Sequence, residues 1–395
     1  MGNLDLQSKP RLAYIDNIKW VMIFMVVLDH ATVTYSGLGS WFYNQKSAID
    51  PIAKLLFSFY GSFAEAFFMG ILFFVAATFV PGSYDRKGFG RFVADRFVRL
   101  GVPVLTFMFV LDPLIRFLID LFAGRASWSA FASRYASVIT SGAVLARTGP
   151  LWFALALLVF SILYALARLA ISQVSRRPAS DRLVSRIRMP APRTIHLAAL
   201  ALMAIIAAGS FFIRLAYPVG TAWFNMQLCY FAKYVVLFAA GLWAARAGFL
   251  QSVPAKVGKV WLRLAFAVGV PAWFLLFGLG GGLSSVAPYF GGWHWQAAGY
   301  AAWEAFFVVS VSLGLLVFFR ERANDPTPVT NFLSRTSFGV YTFHPPILVA
   351  VSLVLQAVAL YVVVKAVLVA ALALAISLVV AALVRKIPKV GRIFS

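Results

Sequence analysis

The sequence predicts an all-α, polytopic transmembrane bundle of about ten helices with both termini cytoplasmic, and three observations carry that prediction. The 395 residues are 62% hydrophobic and only 12% charged, with a mean hydropathy of +0.86, whereas soluble domains are about half apolar and about a quarter charged. Apolar runs recur from residue 18 to residue 384, and the basic residues behind the net charge of +22 sit in short tracts between them. This composition excludes a soluble enzyme, a secreted disulfide scaffold and a disordered chain. It makes membrane lipids the expected neighbours, and nucleic acid is not expected, since the Lys and Arg are not gathered as phosphate neutralisation requires. The single Cys229 leaves no disulfide framework and no Cys-based metal motif. Residues 1–395 read as one integral membrane domain.

A hydrocarbon core about 30 Å thick takes roughly 20 apolar residues per helix. By that measure the spans fall at 18–37, 59–80, 101–122, 150–171, 195–215, 224–245, 262–283, 297–319, 337–358 and 360–384. The first is retained as a span, not cleaved as a secretory signal: it is about 20 residues long, holds Asp29 and His30 and lacks a small-residue cleavage pattern. In the third, Asp112 and Arg116 are four apart and pair structurally. The fourth opens near Trp152, a ring placed as interface anchors are. The ninth and tenth are divided only by Gln356, Tyr361 and Lys365, which predicts a tight hairpin at a membrane face.

Orientation follows from the Lys and Arg count over alternate connections. With the N-terminus inside, the inner segments hold 25 basic residues and the outer ones 6, among them Arg147 and Arg214, while Arg116, Arg168, Lys233 and Lys365 fall within spans. Both termini are therefore expected in the cytoplasm. The connection 172–194 is Pro-broken and basic, and reads as a cytoplasmic loop near anionic headgroups. The outer connection 123–149 mixes Trp128, Phe131 and Tyr135 with small polar residues and suits the interface.

Walker A, GxSxG, HExxH and HxxxxD patterns are all missing, so attention moves to ionisable groups inside spans, which are costly and functional by default. Lys19 and His30 are eleven residues apart, which places them on one helical face about 16 Å apart, with His30 just beyond the midplane. Asp29 beside it doubles the desolvation problem. Glu65 and Glu304 enter from the outer ends of spans two and eight at similar depth, and a His beside carboxylates forms a general base with an orienting partner. A buried ion pair tying helices together is the alternative for both. At the third span's entrance Arg96 and Arg99 share a face, and paired guanidinium forks suit phosphate oxygens. In SRTSFGVYTFHPPIL, Tyr341 and His344 stand one turn apart, and Pro345 and Pro346 are expected to break the helix near mid-depth. From the residues alone, an enzyme and a transporter or flippase for an anionic or glycosylated substrate stand nearly even.

Five stretches in register, RLAYIDNIKWVMIFMVVLDHA, FFMGILFFVAATFVPGSYDRKGFGRFVADRFVRLGVP, GPLWF, WEAFFVVSVSLGLLVFFR and SRTSFGVYTFHPPIL, resemble the acyltransferase 3 family of bacterial integral membrane acyltransferases. The family's basic-x10-His pattern falls on Lys19 and His30, with Lys where many relatives have Arg, and its RxxR element on Arg96 and Arg99. The resemblance implies transfer of an acyl group, acetyl or succinyl, from cytoplasmic acyl-CoA to a hydroxyl of a surface glycan, lipid or membrane-derived oligosaccharide. Acyl-CoA, above all acetyl-CoA, is then a cosubstrate, with no permanently bound cofactor and no metal. Lys19, Arg96 and Arg99 would bind the donor, His30 would act as general base or acyl carrier, and Tyr341 and His344 would serve the oxyanion. Glu304 joins these as a catalytic candidate, and Asp29, Glu65 and Trp152 as supporting residues. Some relatives carry a fused C-terminal SGNH hydrolase-like domain. This sequence ends eleven residues after its last predicted span, so it is expected to act alone or to hand its acyl group to a separate periplasmic partner.

Overall fold

The computed structural model describes residues 12–45, 49–174 and 191–394, so most of the basic connection 172–194 lies outside the described residues. Ten helices long and apolar enough to cross a bilayer are present among them: span 1 (Ala13–Ser36), span 2 (Pro51–Thr78), span 3 (Val80–Phe122), span 4 (Gly149–Gln173) and span 5 (Pro192–Ala216). Span 6 (Leu228–Arg246), span 7 (Ala255–Leu279), span 8 (Trp295–Arg322), span 9 (Pro328–Val354) and span 10 (Val362–Lys386) complete the set. The protein is a multi-pass membrane protein. Spans 8 and 9 are the most enclosed by protein and span 7 the least.

Helix ends depart from hydropathy where polar residues extend a helix beyond its apolar run. Span 2 starts eight residues early because Asp50 caps it, its carboxylate accepting from Ala53 N–H at 2.8 Å with Pro51 in the first helical position. Glu65 consequently lies about 21 Å into that helix, near its middle and not near its end. Span 3 is longer still, since the basic stretch 81–100, expected as a connection, is helical and bends at Gly88, whose φ of 69° suits only glycine comfortably. Three π-helical segments, Phe97–Gly101, Phe107–Leu111 and Ala265–Gly269, each end two residues before a proline: Pro103, Pro113 and Pro271. A widened turn absorbs the ring where a regular one would clash with the preceding carbonyls.

Pro345 and Pro346 correct an expectation. They lie inside span 9, which runs unbroken from Pro328 to Val354. Close approach elsewhere relies on absent side chains: a Cβ on Gly241 of span 6 would meet the Phe74 carbonyl oxygen of span 2 at 2.3 Å. The hairpin between spans 9 and 10 is present, and Lys365 closes it by donating to the carbonyls of Gln356 (3.1 Å) and Val358 (2.9 Å).

Contacts at the helix ends sort the bundle into two faces. Asn17 donates to the carbonyl of Ala323 at 2.7 Å, and Lys365 lies over the ring of Tyr35. Span 1 is thus antiparallel to spans 8 and 10. The starts of odd spans and ends of even spans form one face, which carries Lys19, Arg96, Arg99, Arg246 and Arg320. The opposite face carries the helix Trp128–Thr140, which has no buried residue, and the two-stranded hairpin that pairs Ala222 with Gln227 and Trp223 with Met226.

Candidate active site

A cavity of about 1010 Å3 opens between the loops of the face opposite the basic one and descends along span 1 from Ser36 to Val26. His30, Asp29, Glu65, Trp152 and Tyr341 all line it. Sequence reasoning placed four of these five on spans 1, 2 and 9, and the fold brings them to one chamber.

The geometry of His30 starts from a proline. In an α-helix the N–H of residue 345 would bond the carbonyl of residue 341, but Pro345 has none. The freed Tyr341 carbonyl accepts instead from His344 Nδ1 at 2.9 Å, with the Val340 carbonyl 3.2 Å from the same nitrogen. Both neighbours are acceptors, so Nδ1 carries the proton and Nε2 of the neutral ring offers a lone pair. His30 Nδ1 lies 2.9 Å from that Nε2 and is therefore the donor. Among the described residues the remaining nitrogen of His30, Nε2, has no hydrogen-bond partner, so its lone pair is uncommitted. Trp41 stacks on the imidazole at 4.0 Å between centroids and fixes its plane. The indole N–H of Trp41 is buried and has no hydrogen-bond partner among the described residues.

Glu304 does not face this cavity. It is fully buried behind the wall, held by Arg214 on one oxygen and by Lys233 at 2.5 Å on the other. Lys233 also donates to the Glu65 backbone oxygen at 2.5 Å and lies 3.3 Å from its carboxylate, which Tyr234 bonds at 3.0 Å. Arg214 lies between the rings of Tyr230 and Tyr300, at 5.2 and 5.3 Å. Arg214, counted above as an outer-loop charge, is thus a wholly buried member of an intramembrane ion network. Two cations and two carboxylates balance there, and burial without such balance would be prohibitive. The alternative reading of Glu65 and Glu304 as helix-tying ion pairs is the arrangement found. Asp29, by contrast, makes no side-chain hydrogen bond or ion pair among the described residues.

The Tyr341 hydroxyl donates to the Pro150 carbonyl, which commits the proton that an oxyanion would need. Trp152 packs on Tyr234 at 5.6 Å as part of the cavity wall. Asp112 pairs with Arg116 as expected, at 2.9 and 3.0 Å. Lys19, Arg96 and Arg99 line no part of the cavity. Lys19 pairs with Asp16 at 2.5 Å, Arg96 stacks on Phe92, and Arg99 is exposed 3.4 Å from Asp95. On span 1, seven residues, about 10 Å along the axis, separate Lys19 from the deepest cavity residue, Val26. No cluster of His, Cys, Asp and Glu with metal-holding geometry occurs among the described residues.

Sequence reasoning passed over Trp41, Arg147 and the roles of Arg214 and Lys233. Lys233 did announce itself as a cation inside a span; Trp41 did not, because an aromatic ring just past a helix end has an interface explanation ready.

A family model described as an acyltransferase domain matches residues 12–385. No curated protein and no solved structure matches the chain.

Proposed function

The chain belongs to the acyltransferase 3 family, and from that membership we propose that it transfers an acyl group, acetyl or succinyl, from acyl-CoA to a hydroxyl of a surface glycan, lipid or membrane-derived oligosaccharide. One observation carries the reading: His30 reaches a large cavity with one ring nitrogen committed to His344 and the other free. In the proposed step His30 Nε2 takes the proton of the acceptor hydroxyl as its oxygen attacks the thioester carbonyl. The tetrahedral intermediate then collapses with cleavage of the C–S bond, and the departing CoA sulfur receives the proton from His30. The uncommitted indole N–H of Trp41 is assigned to the oxyanion in place of the Tyr341 hydroxyl. Tyr341 and His344 are positioning residues in this scheme, Glu304 and Glu65 brace the wall, and Asp29 orients the acceptor.

Donor and acceptor come from opposite faces. The basic face with Lys19, Arg96 and Arg99 suits the phosphates of CoA, while the cavity mouth on the other face admits the acceptor. The reading places the basic face in the cytoplasm, on the 25 to 6 charge bias. A cysteine at exposed Ser284 should react with an impermeant maleimide on intact cells, and one at exposed Asp325 only after permeabilisation. The reverse pattern would put the donor site on the wrong side.

The function itself is tested with purified full-length protein in detergent and radiolabelled acetyl-CoA or succinyl-CoA. Slow acyl-CoA cleavage, raised by glycan or lipid extracts that become labelled, is the expected result. Flux of such compounds in proteoliposomes without any acyl-CoA turnover would make it a transporter.

Pro345 offers a check on the histidine geometry. Pro345→Ala restores a backbone N–H that competes for the Tyr341 carbonyl and loosens the His344 tautomer. A hydrogen bond of about 1 kcal/mol is at stake, so kcat should fall about fivefold with KM unchanged and thermal stability equal or higher. An unchanged kcat would mean that the tautomer is fixed by other means.

A further inference from the structure

The cavity has a second pole that the acyl-transfer step does not use. Asp112, 1% exposed, is bound by two arginines: Arg116 through Nε and Nη2 at 2.9 and 3.0 Å, and Arg147 through Nη1 at 3.1 Å. One carboxylate answers one guanidinium, so the trio carries a net positive charge. Three of the ten N–H groups of the two side chains are spent on Asp112. The side chains of Arg116 and Arg147 stay 45% and 24% exposed, and both residues line the cavity that His30 lines.

The second arginine is also held in place. On one side of Arg147, Thr148 donates to the Phe224 carbonyl at 3.0 Å and the Pro150 carbonyl accepts from Tyr341; on the other, Arg147 N–H donates to Val144 O at 3.0 Å. Between them Gly149 takes φ +49°, where a Cβ would meet the ring of Phe107 at 2.3 Å. A salt bridge that merely fastened this loop to span 3 would need one cation. Two preorganised forks with free donors are what planar anions are bound by.

We propose that Arg116 and Arg147 form an anion subsite that binds a carboxylate or phosphate group of the acceptor and so presents its hydroxyl to His30. The opposite wall supports the orientation. Asp29 and Glu65 line the end near His30, Glu65 is already paired with Lys233, and among the described residues no Lys or Arg other than Arg116 and Arg147 lines the cavity. The acceptor class is thereby narrowed to acidic molecules, a glycan with carboxylates or one bearing phosphate. The acceptor role rests on the acyltransferase reading; the anion binding does not.

The test measures equilibrium binding of three soluble probes to the full-length protein in detergent: a glucuronic acid tetrasaccharide, a glucose tetrasaccharide, and the latter substituted with glycerol phosphate. At least one charged probe should bind about tenfold or more tightly than the neutral one, a charge-assisted contact being worth more than about 1.4 kcal/mol. Which of the two binds better assigns carboxylate or phosphate. Arg116→Gln and Arg147→Gln should each remove most of the preference, and either variant leaves Asp112 a partner. Arg147→Lys should keep part of it, and Arg125→Gln, an exposed arginine outside the cavity, all of it. Equal affinity for charged and neutral probes, no binding of any probe, or a preference that survives both Gln variants overturns the subsite. Acyl-transfer assays on the same preparations separate the two proposals. A charge preference lost in the variants, with no transfer to any acceptor, removes the enzyme reading and keeps the subsite; transfer indifferent to acceptor charge removes the subsite alone.

Discussion

His30→Gln should lower acyl transfer by about 10²- to 10⁴-fold, the contribution of a positioned general base, while the protein inserts and elutes as the wild type does. The amide can replace the hydrogen bond to His344 Nε2, which the imidazole makes at 2.9 Å, but it cannot take a proton at neutral pH. The loss should therefore fall on kcat and leave the affinity for acyl-CoA, whose proposed site is at the other face, within about twofold of wild type. A Gln variant with near-normal turnover would reduce His30 to a positioning residue. The same lone pair could instead carry the acyl group, and mass spectrometry of acid-quenched, labelled enzyme separates the routes. Label recovered on His30 would replace the base by a carrier.

The second large effect is on stability. Glu304→Ala leaves Arg214, fully buried, without an anionic partner, and leaves Lys233 with Glu65 alone. Breaking a buried ion pair by removing one partner costs about 3 to 5 kcal/mol. In a detergent-solubilised protein this should appear as a sharply lowered thermal midpoint and poor yield. The double change Arg214→Met with Glu304→Leu removes charge from both sides and should recover much of the loss. A Glu304→Ala protein as stable as wild type would show that the network is solvated in practice. A stable variant with no turnover would return Glu304 to the reaction.

The spans were legible because hydropathy over about 20 residues depends on composition alone, and a bilayer asks little more of a helix. All ten were found, with errors at the ends where polar residues prolong a helix: Asp50 adds eight residues to span 2, and the basic stretch after Val80 adds a helical arm to span 3. The prolines of span 9 were read as a break. Their actual effect is smaller and chemically sharper: each removes one backbone N–H, and the carbonyl that Pro345 leaves free, that of Tyr341, is the one to which His344 is tied.

The sequence by itself determined the multi-pass helical architecture, the family, and the short list of polar residues that a membrane interior would not hold without a reason. Tertiary structure alone decided how those residues are shared out. It sends Glu304 and Arg214 behind the wall, brings His344 to His30 across 314 positions of chain, and gathers Arg147 onto Asp112 beside the same cavity. The physical reason is that a hydropathy window reports whether a helix lies in the membrane, but not its rotation or its depth against its neighbours. A rotation of 100°, one residue's worth, exchanges a cavity-facing side chain for one packed in the wall.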